Sequence, residues 1–519
     1  MQKKTIFSLF IVLIFSFTTF SQQKVDLNVI QQIRHEGLEN SKVMEILSYL
    51  TDVYGPRLAN SPSFFKAANW TVEKLKEYGL KNAHLEPFGT FGRGWEFNKF
   101  YMAMTEPTYM PIIGYPKAWT GSTNGLIKGS PILIKIEKAE DIEQYKGKLK
   151  DAIVLTQPEQ TIEETFKPDA TRRTETELAE LAKAPEPSNK SSFADRFRQF
   201  RERRMLMQKI NEFLVSEGVK LVIEPSRGMD GTVFVQSGGS YNNMNETSLP
   251  QVVISTEQYN RIVRILEKNI PVEIEAEIQT KFYNQDSTGY NIIAEIPGTD
   301  KNLKDQIVML GGHFDSWHSG TGATDNAAGC AVAIEAVRIL EKLGLKPKRT
   351  IRIALWDGEE EGLIGSRAYV KNHFFDIETK EKKPEYDNFF VYFNYDNGSG
   401  KIRGIYLQGN DAARPIFEEW FKPFNDLGAS TVTIRNTGST DHVSFDAVGL
   451  PGFQFIQDEL AYGTRTHHSN MDVYDHCSAG DLMQSAVIMA SFIYNASVMD
   501  GKFPRKYFNP NEVSLRRGF

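Results

Sequence analysis

The sequence predicts an α/β protein with a sheet buried on both faces, preceded by a compact β-rich unit. Three observations carry this. From Tyr290 onward, apolar runs of strand length recur at Ile292–Ile296, Ile307–Leu310, Ile351–Trp356, Phe389–Phe393, Ile405–Leu407 and Phe453–Ile456. Helix-length segments such as Ala327–Leu340 lie between several of them, and continuous apolar strands alternating with helices imply a sheet covered on both sides. Between about 119 and 279, shorter β-type runs are instead punctuated by Gly and Pro.

The composition fits this class. The chain has 519 residues, 40% hydrophobic and 24% charged, which is globular and long enough for two or three folding units. A net charge of −6 gives no basic excess, so nucleic acid is not an expected partner. Two cysteines exclude a disulfide scaffold and a cysteine-rich zinc finger. Any metal must then be held by His and carboxylates. Cys330 and Cys477 are expected to be unpaired, buried thiols.

The first element is an address. Lys3 and Lys4 precede an apolar run from Ile6 to Phe17, and Thr19-Phe20-Ser21 offers a small-residue cleavage site. The run is shorter than the ~20 residues needed to span a bilayer. Residues 1–21 are therefore expected to be a removed signal peptide, leaving a secreted or periplasmic protein without a membrane anchor. Residues 22–118 follow. Phe65, Ala68, Val72 and Leu75 place one apolar face on a helix that Gly79 ends, and GPRLANSPS (Gly55–Ser63) before it is turn chemistry. The β-rich unit covers 119–279, with expected strands at Pro131–Ile136, Ala152–Thr156, Leu221–Glu224, Gln251–Ser255 and Val272–Ile278. Within it, 158–204 is charged and poor in β-branched residues, and reads as a helical or flexible sub-insertion. Arg196, Arg198, Arg201, Arg203 and Arg204 in it read as a solvated face, with a lip over a binding cleft as the alternative. Residues 280–519 hold the buried sheet.

In such sheets ligands bind beyond the carboxyl ends of the strands. Ile307–Leu310 runs into GGHFDSWHSGTGATDNAAG, which brings His313, Asp315 and Asp325. Ile351–Trp356 runs into DGEEEGLIGS, with Glu359, Glu360 and Glu361. Phe389–Phe393 leads to Asp396, and Phe453–Ile456 leads to His467 and His468. Four strand-end loops supplying imidazoles and carboxylates suit zinc, with cobalt or manganese as substitutes. So many ligands exceed one catalytic zinc and suit two metals sharing a carboxylate. No HExxH helix, GxSxG elbow or complete Walker motif competes.

Motifs HFDSW, GTGATDNAAG, EEEGLIGS, NYDN and HHSNMD, in this order, resemble the co-catalytic di-zinc exopeptidases that include bacterial leucyl aminopeptidase, most nearly their plasma glutamate carboxypeptidase branch. GPRLANS and Gly438–Phe445 also match, so the likeness covers about 40–118 and 280–500. It implies a mixed, mostly parallel sheet sandwiched by helices, with 119–279 as an inserted protease-associated domain. It further implies two zinc ions, one held by Asp325, Glu360 and His468 and the other by His313, Asp325 and Asp396. Glu359 matches the general base, and Asp315 the carboxylate that orients His313. By the same patterns Glu361 is expected to face solvent. His467 is a candidate substrate contact. His318 stands where relatives often have an acid, a departure expected to leave the metals intact while altering the surroundings of the substrate. Arg465 is a candidate for contact with a substrate carboxylate, with a structural ion-pair partner as the alternative, and Tyr462 and Ser439 are similar candidates for substrate contact. The implied activity is hydrolysis of peptides or dipeptides from one end, as aminopeptidase, dipeptidase or carboxypeptidase, with a homodimer left open. Two alternatives stand beside it: a single-zinc glutaminyl cyclase-like acyltransferase and a non-catalytic receptor-like relative.

Overall fold

A computed structural model describes residues 25–187, 193–245 and 248–511. The expected signal peptide lies outside the described residues, as do the side chains of the basic run from Arg196 to Arg204. The largest sheet has eight strands, numbered in chain order: β1 Lys81–Thr90, β2 Thr288–Ile296, β3 Ile307–His313, β4 Thr350–Trp356, β5 Phe389–Asn394, β6 Ile402–Tyr406, β7 Thr431–Thr433 and β8 Gly452–Gln457. Their spatial order is β1-β2-β4-β3-β5-β8-β6-β7. The central four, β4, β3, β5 and β8, run parallel, while β1, β2 and β6 pair antiparallel at the flanks. The fold is the expected mixed α/β sandwich.

Strand β3 shows why both faces read as apolar. Val308 and Leu310 enter one core with the helices Leu27–Glu39, Ala328–Lys342 and Ala479–Val498. Ile307 and Met309 point the other way, into a second core with Tyr369, Val370 and Phe445. Successive side chains of a strand face opposite sides, so a strand buried on both sides must be apolar throughout. The helix Ala328–Lys342 is buried from Ala328 to Leu340, as a helix wrapped on all sides should be.

The remaining strands form two further sheets. One orders Gly114–Pro116, Gln251–Ile254, Leu221–Pro225, Ile153–Leu155 and Pro131–Leu133, of which the last four are parallel. The other is antiparallel and joins Met110–Pro111, Gly94–Glu106, Glu273–Tyr283 and Ile127–Gly129. This region is also more helical than its strand-length runs suggest. Thr256–Glu267 buries Tyr259, Ile262 and Val263 between the two sheets, and Phe193–Glu217 packs with Phe213 and Leu214. Part of the charged sub-insertion crosses to the large sheet. Thr171 exchanges two backbone hydrogen bonds with Leu460, and Leu178 and Leu181 pack on Ile456. Arg172 reaches Asp458 and Asp481 at 2.9 and 2.7 Å. Among the described residues no helix is long and apolar enough to cross a membrane.

Candidate metal centre

The four parallel strands end side by side, so the loops after β3, β4, β5 and β8 converge. His313 is the last residue of β3 and is fully enclosed. Its Nε2 lies 3.2 Å from Asp325 Oδ1 and 3.4 Å from Asp396 Oδ1. His468 Nε2 lies 3.1 Å from the other oxygen of Asp325 and 2.9 Å from Glu360 Oε2. Asp325 thus stands between two imidazoles, one oxygen toward each. The five residues expected as ligands meet at one place, together with His467, whose Nε2 is 3.7 Å from Asp325 Oδ2.

The donor set fits metal. Atoms ~2 Å from a tetrahedral zinc lie roughly 3.3 Å apart, close to the spacings above. Asp325 Oδ2, Glu360 Oε1 and Asp396 Oδ1 are buried without a hydrogen-bond partner. A buried oxygen left in that state is costly unless a cation completes it. The electrostatics agree. Burial pushes Glu360 up to about 7 despite the pull of His468, with Asp325 adding to the rise. Burial opposes a charged His468, yet Glu360 and Asp325 outweigh it and raise its pKa to about 10. Burial likewise holds the Glu359 carboxyl well above its usual range, against His313 and with Asp396 and Asp441 reinforcing it. Negative charge is crowded here beyond what the imidazoles neutralise.

Neighbouring groups fix the loops. Asp315 does so differently from expectation: its carboxylate lies 3.7 Å from His313 Nδ1, and its backbone oxygen lies 3.0 Å from that nitrogen. The carboxylate instead accepts the N–H groups of Glu359 and Glu360, at 3.1 Å each, and so ties the β4 loop to the β3 loop. Trp317 donates its indole N–H to Glu360 Oε2 at 2.8 Å. Arg57, from the GPRLANS turn, is fully buried and donates to the carbonyls of Leu50, Phe314, Thr321 and Gly322. It clamps the backbone that leads from His313 to Asp325. The sequence marks Arg57 only as a motif position; its four carbonyl partners become visible in three dimensions. Gly322 sits at φ +66°, where a Cβ would strike Ser316 at 2.3 Å. Asp472 accepts the backbone N–H and hydroxyl of Thr324 at 2.6 and 2.8 Å, which secures the Asp325 turn.

Several expected contacts are placed otherwise. Both carboxylate oxygens of Glu361 are buried rather than in solvent. His318 is enclosed against Trp95 and Phe97, with Nε2 at 2.7 Å from the carbonyl of Pro116, so it joins the β3 loop to the neighbouring unit. Arg465 is ion-paired with Asp169. Ser439 is exposed at φ +60°. Tyr462 packs against His467, with ring centroids 4.6 Å apart. Cys330 and Cys477 are both free thiols.

A doubly covered mixed sheet with this cluster at its carboxyl edge defines a metallo-exopeptidase. Residues 291–493 match the family described as Peptidase family M28. The chain is 26% identical to carboxypeptidase Q of Mus musculus over 473 residues, 90% of this chain and 88% of that protein. Its fold is similar to the peptidase M28 precursor of Shewanella amazonensis, with TM-score 0.65 and 24% identity over 93% of this chain and 98% of that one. A zinc aminopeptidase from Bacillus subtilis gives TM-score 0.54 and 18% identity over 90% and 97%.

Proposed function

We propose that the protein is an exported zinc exopeptidase that releases residues from peptides bearing a free α-carboxylate. In this reading His313, Asp325 and Asp396 hold one zinc ion, and Asp325, Glu360 and His468 hold the second. The observation that carries it is Asp325, whose two oxygens face two separate imidazoles within a ring of unpartnered buried carboxylate oxygens. Bound there, the metal ions would acidify a water and polarise the peptide carbonyl.

The protein's own groups do the rest. Glu359 accepts the proton of the attacking water and returns it to the leaving amine. Its burial beside Asp396 and Asp441 favours proton capture against the opposing pull of His313, because desolvation and each added negative neighbour raise the affinity of its carboxyl for a proton. Asp315 keeps Glu359 and Glu360 in register through their backbone N–H groups, so one side chain serves as ligand while the other faces the reacting water. Trp317 donates its indole N–H to Glu360 Oε2 and so fixes that carboxylate.

The choice of substrate end rests on two arginines. Arg465 is occupied by Asp169. Arg227 is exposed and rests over the Phe234 ring at 4.4 Å, with no ion pair among the described residues. Phe234 bridges to Ser469, beside His468. A substrate carboxylate would find its cation there, since an unpaired guanidinium on an aromatic face is preorganised for a planar anion. The overall likeness to carboxypeptidase Q supports this direction. The deciding experiment compares N-blocked peptides, C-blocked peptides and free dipeptides with zinc-loaded protein. C-blocked substrates should turn over poorly, and Arg227→Ala should raise KM for free carboxylates alone. Efficient cleavage of C-blocked peptides would assign an aminopeptidase instead.

A further inference from the structure

We infer that Gln236, contributed by the unit outside the large sheet, is a positioning residue for the metal centre that acts through His468. This rests on His468 holding a metal, as proposed above. The Gln236 carboxamide lies 2.9 Å from His468 Nδ1 through its Nε2 atom. With that nitrogen donating, Nδ1 is the acceptor and the ring proton sits on Nε2, which then has no lone pair to give. Turned over, the carboxamide oxygen accepts from Nδ1–H, and Nε2 is free. The oxygen and nitrogen ends of a carboxamide are nearly isosteric, so the hydrogen-bonding demand of the ring sets the orientation. Only the second arrangement suits a metal ligand, and it is the usual one: a ligating imidazole donates its other N–H to an oxygen that fixes ring angle and tautomer.

The backbone around the pair shows that the contact is built. His468 sits at φ +66°, a left-handed conformation that persists in a non-glycine residue when its surroundings enforce it. The enforcing contacts come from the same segment as Gln236. Val235 donates its N–H to the His468 carbonyl at 3.0 Å, and Asn470 donates to the Val233 carbonyl at 3.1 Å. Val233 donates back to the Asn470 side chain at 2.7 Å. Phe234 and Ser469 form an antiparallel bridge between them. Residues 233–235 therefore run antiparallel beside 468–470 through a single bridge, and the next residue, Gln236, reaches the ring. The Nε2 face of the imidazole is already committed to Asp325 and Glu360. Nδ1 is the remaining polar handle by which the ring can be turned, and Gln236 holds it. His313 differs: its Nδ1 is held within its own loop, by the Asp315 carbonyl. The two halves of the centre are thus supported by different parts of the molecule.

The test measures zinc affinity by competition with a chromogenic chelator, alongside melting of the metal-free proteins. Gln236→Leu should weaken one of the bound zinc ions by about 10–100-fold, the usual effect of losing such a partner. Gln236→Glu, whose carboxylate accepts from Nδ1–H, should hold zinc at least as tightly as the wild type. Both metal-free variants should melt with the unaltered protein. Wild-type affinity in Gln236→Leu overturns the inference, as does equal weakening in both variants, which would mean a general role in shaping the loop. His468→Ala is run beside them. If it keeps all its zinc, the ligand reading itself fails; if it loses zinc while Gln236→Leu does not, only the role of Gln236 fails.

Discussion

Two clusters of buried charge in this molecule are built from similar residues and satisfied to different degrees. Arg338, on the helix Ala328–Lys342, donates to Glu36 at 2.7 Å and to both oxygens of Glu335 at 2.7 and 2.9 Å. The second Glu36 oxygen accepts from Asn40, and Glu335 also accepts from the Ser41 hydroxyl and the Lys42 N–H. Every carboxylate oxygen there has a partner. At the strand ends, one buried oxygen on each of Asp325, Glu360 and Asp396 faces the imidazoles or its fellow carboxylates without completing a hydrogen bond. Burying a charge is tolerable when its hydrogen bonds are complete, which makes the first cluster a joint between helices. The second is incomplete as protein alone, and that incompleteness marks it as the place where a ligand belongs.

The sharpest way to break this contrast is to remove the shared carboxylate. Asp325→Ala should lose at least one equivalent of zinc by elemental analysis, with activity falling to background. Retention of both metals would refute its place between them. Glu359→Ala should lower turnover by about 10²–10⁴-fold, the range for a general base, with metal content near wild type. Loss of metal instead would exchange the assigned roles of Glu359 and Glu360.

These residues could be singled out from sequence because each ends an apolar run, and a buried parallel sheet exposes its loops at one edge. What escaped depended on partners far along the chain. Glu361 looks like a surface residue by pattern, yet the β4 loop folds its carboxyl inward. Asp315 sits two places from His313 but spends its carboxylate on residues 44 and 45 positions away. Arg465 leaves substrate contact and an ion pair both open by pattern, and Asp169, 296 positions earlier, makes it an ion-pair partner. His318 stands out by pattern only as a departure from the family's acid, and its partner is the carbonyl of Pro116 on a distant segment. Periodicity reports which face of an element is buried; it carries no information on which distant loop arrives there.

A smaller effect should follow in the satisfied cluster. Arg338→Met leaves Glu36 and Glu335 buried without their cation, which should cost about 3–5 kcal/mol. The predicted readout is a lower denaturation midpoint with zinc content and KM unchanged. A variant that loses zinc along with stability would show that the two clusters are coupled through the helix Ala328–Lys342.

The mildest case is His373, which also stands between two carboxylates but away from the centre. Its Nε2 lies 2.9 Å from Glu86, and its Nδ1 lies 3.5 Å from Glu385. Glu385 is shared with Arg352 at 3.3 Å, so these acids have partners of their own. Burial opposes the charged ring, but Glu385 and Glu86 outweigh it and raise its pKa to about 9. A pKa raised on folding gives stability that is complete below the unfolded value, ~6.5, and is lost as pH climbs through the folded one. All three side chains are partly exposed, so the contribution should be no more than about 1 kcal/mol. Urea midpoints of wild type and His373→Gln should therefore differ most near pH 6 and converge by about pH 10. A difference that does not change with pH would show that His373 acts through packing on Tyr369, whose ring it stacks at 4.2 Å, with its charge adding nothing.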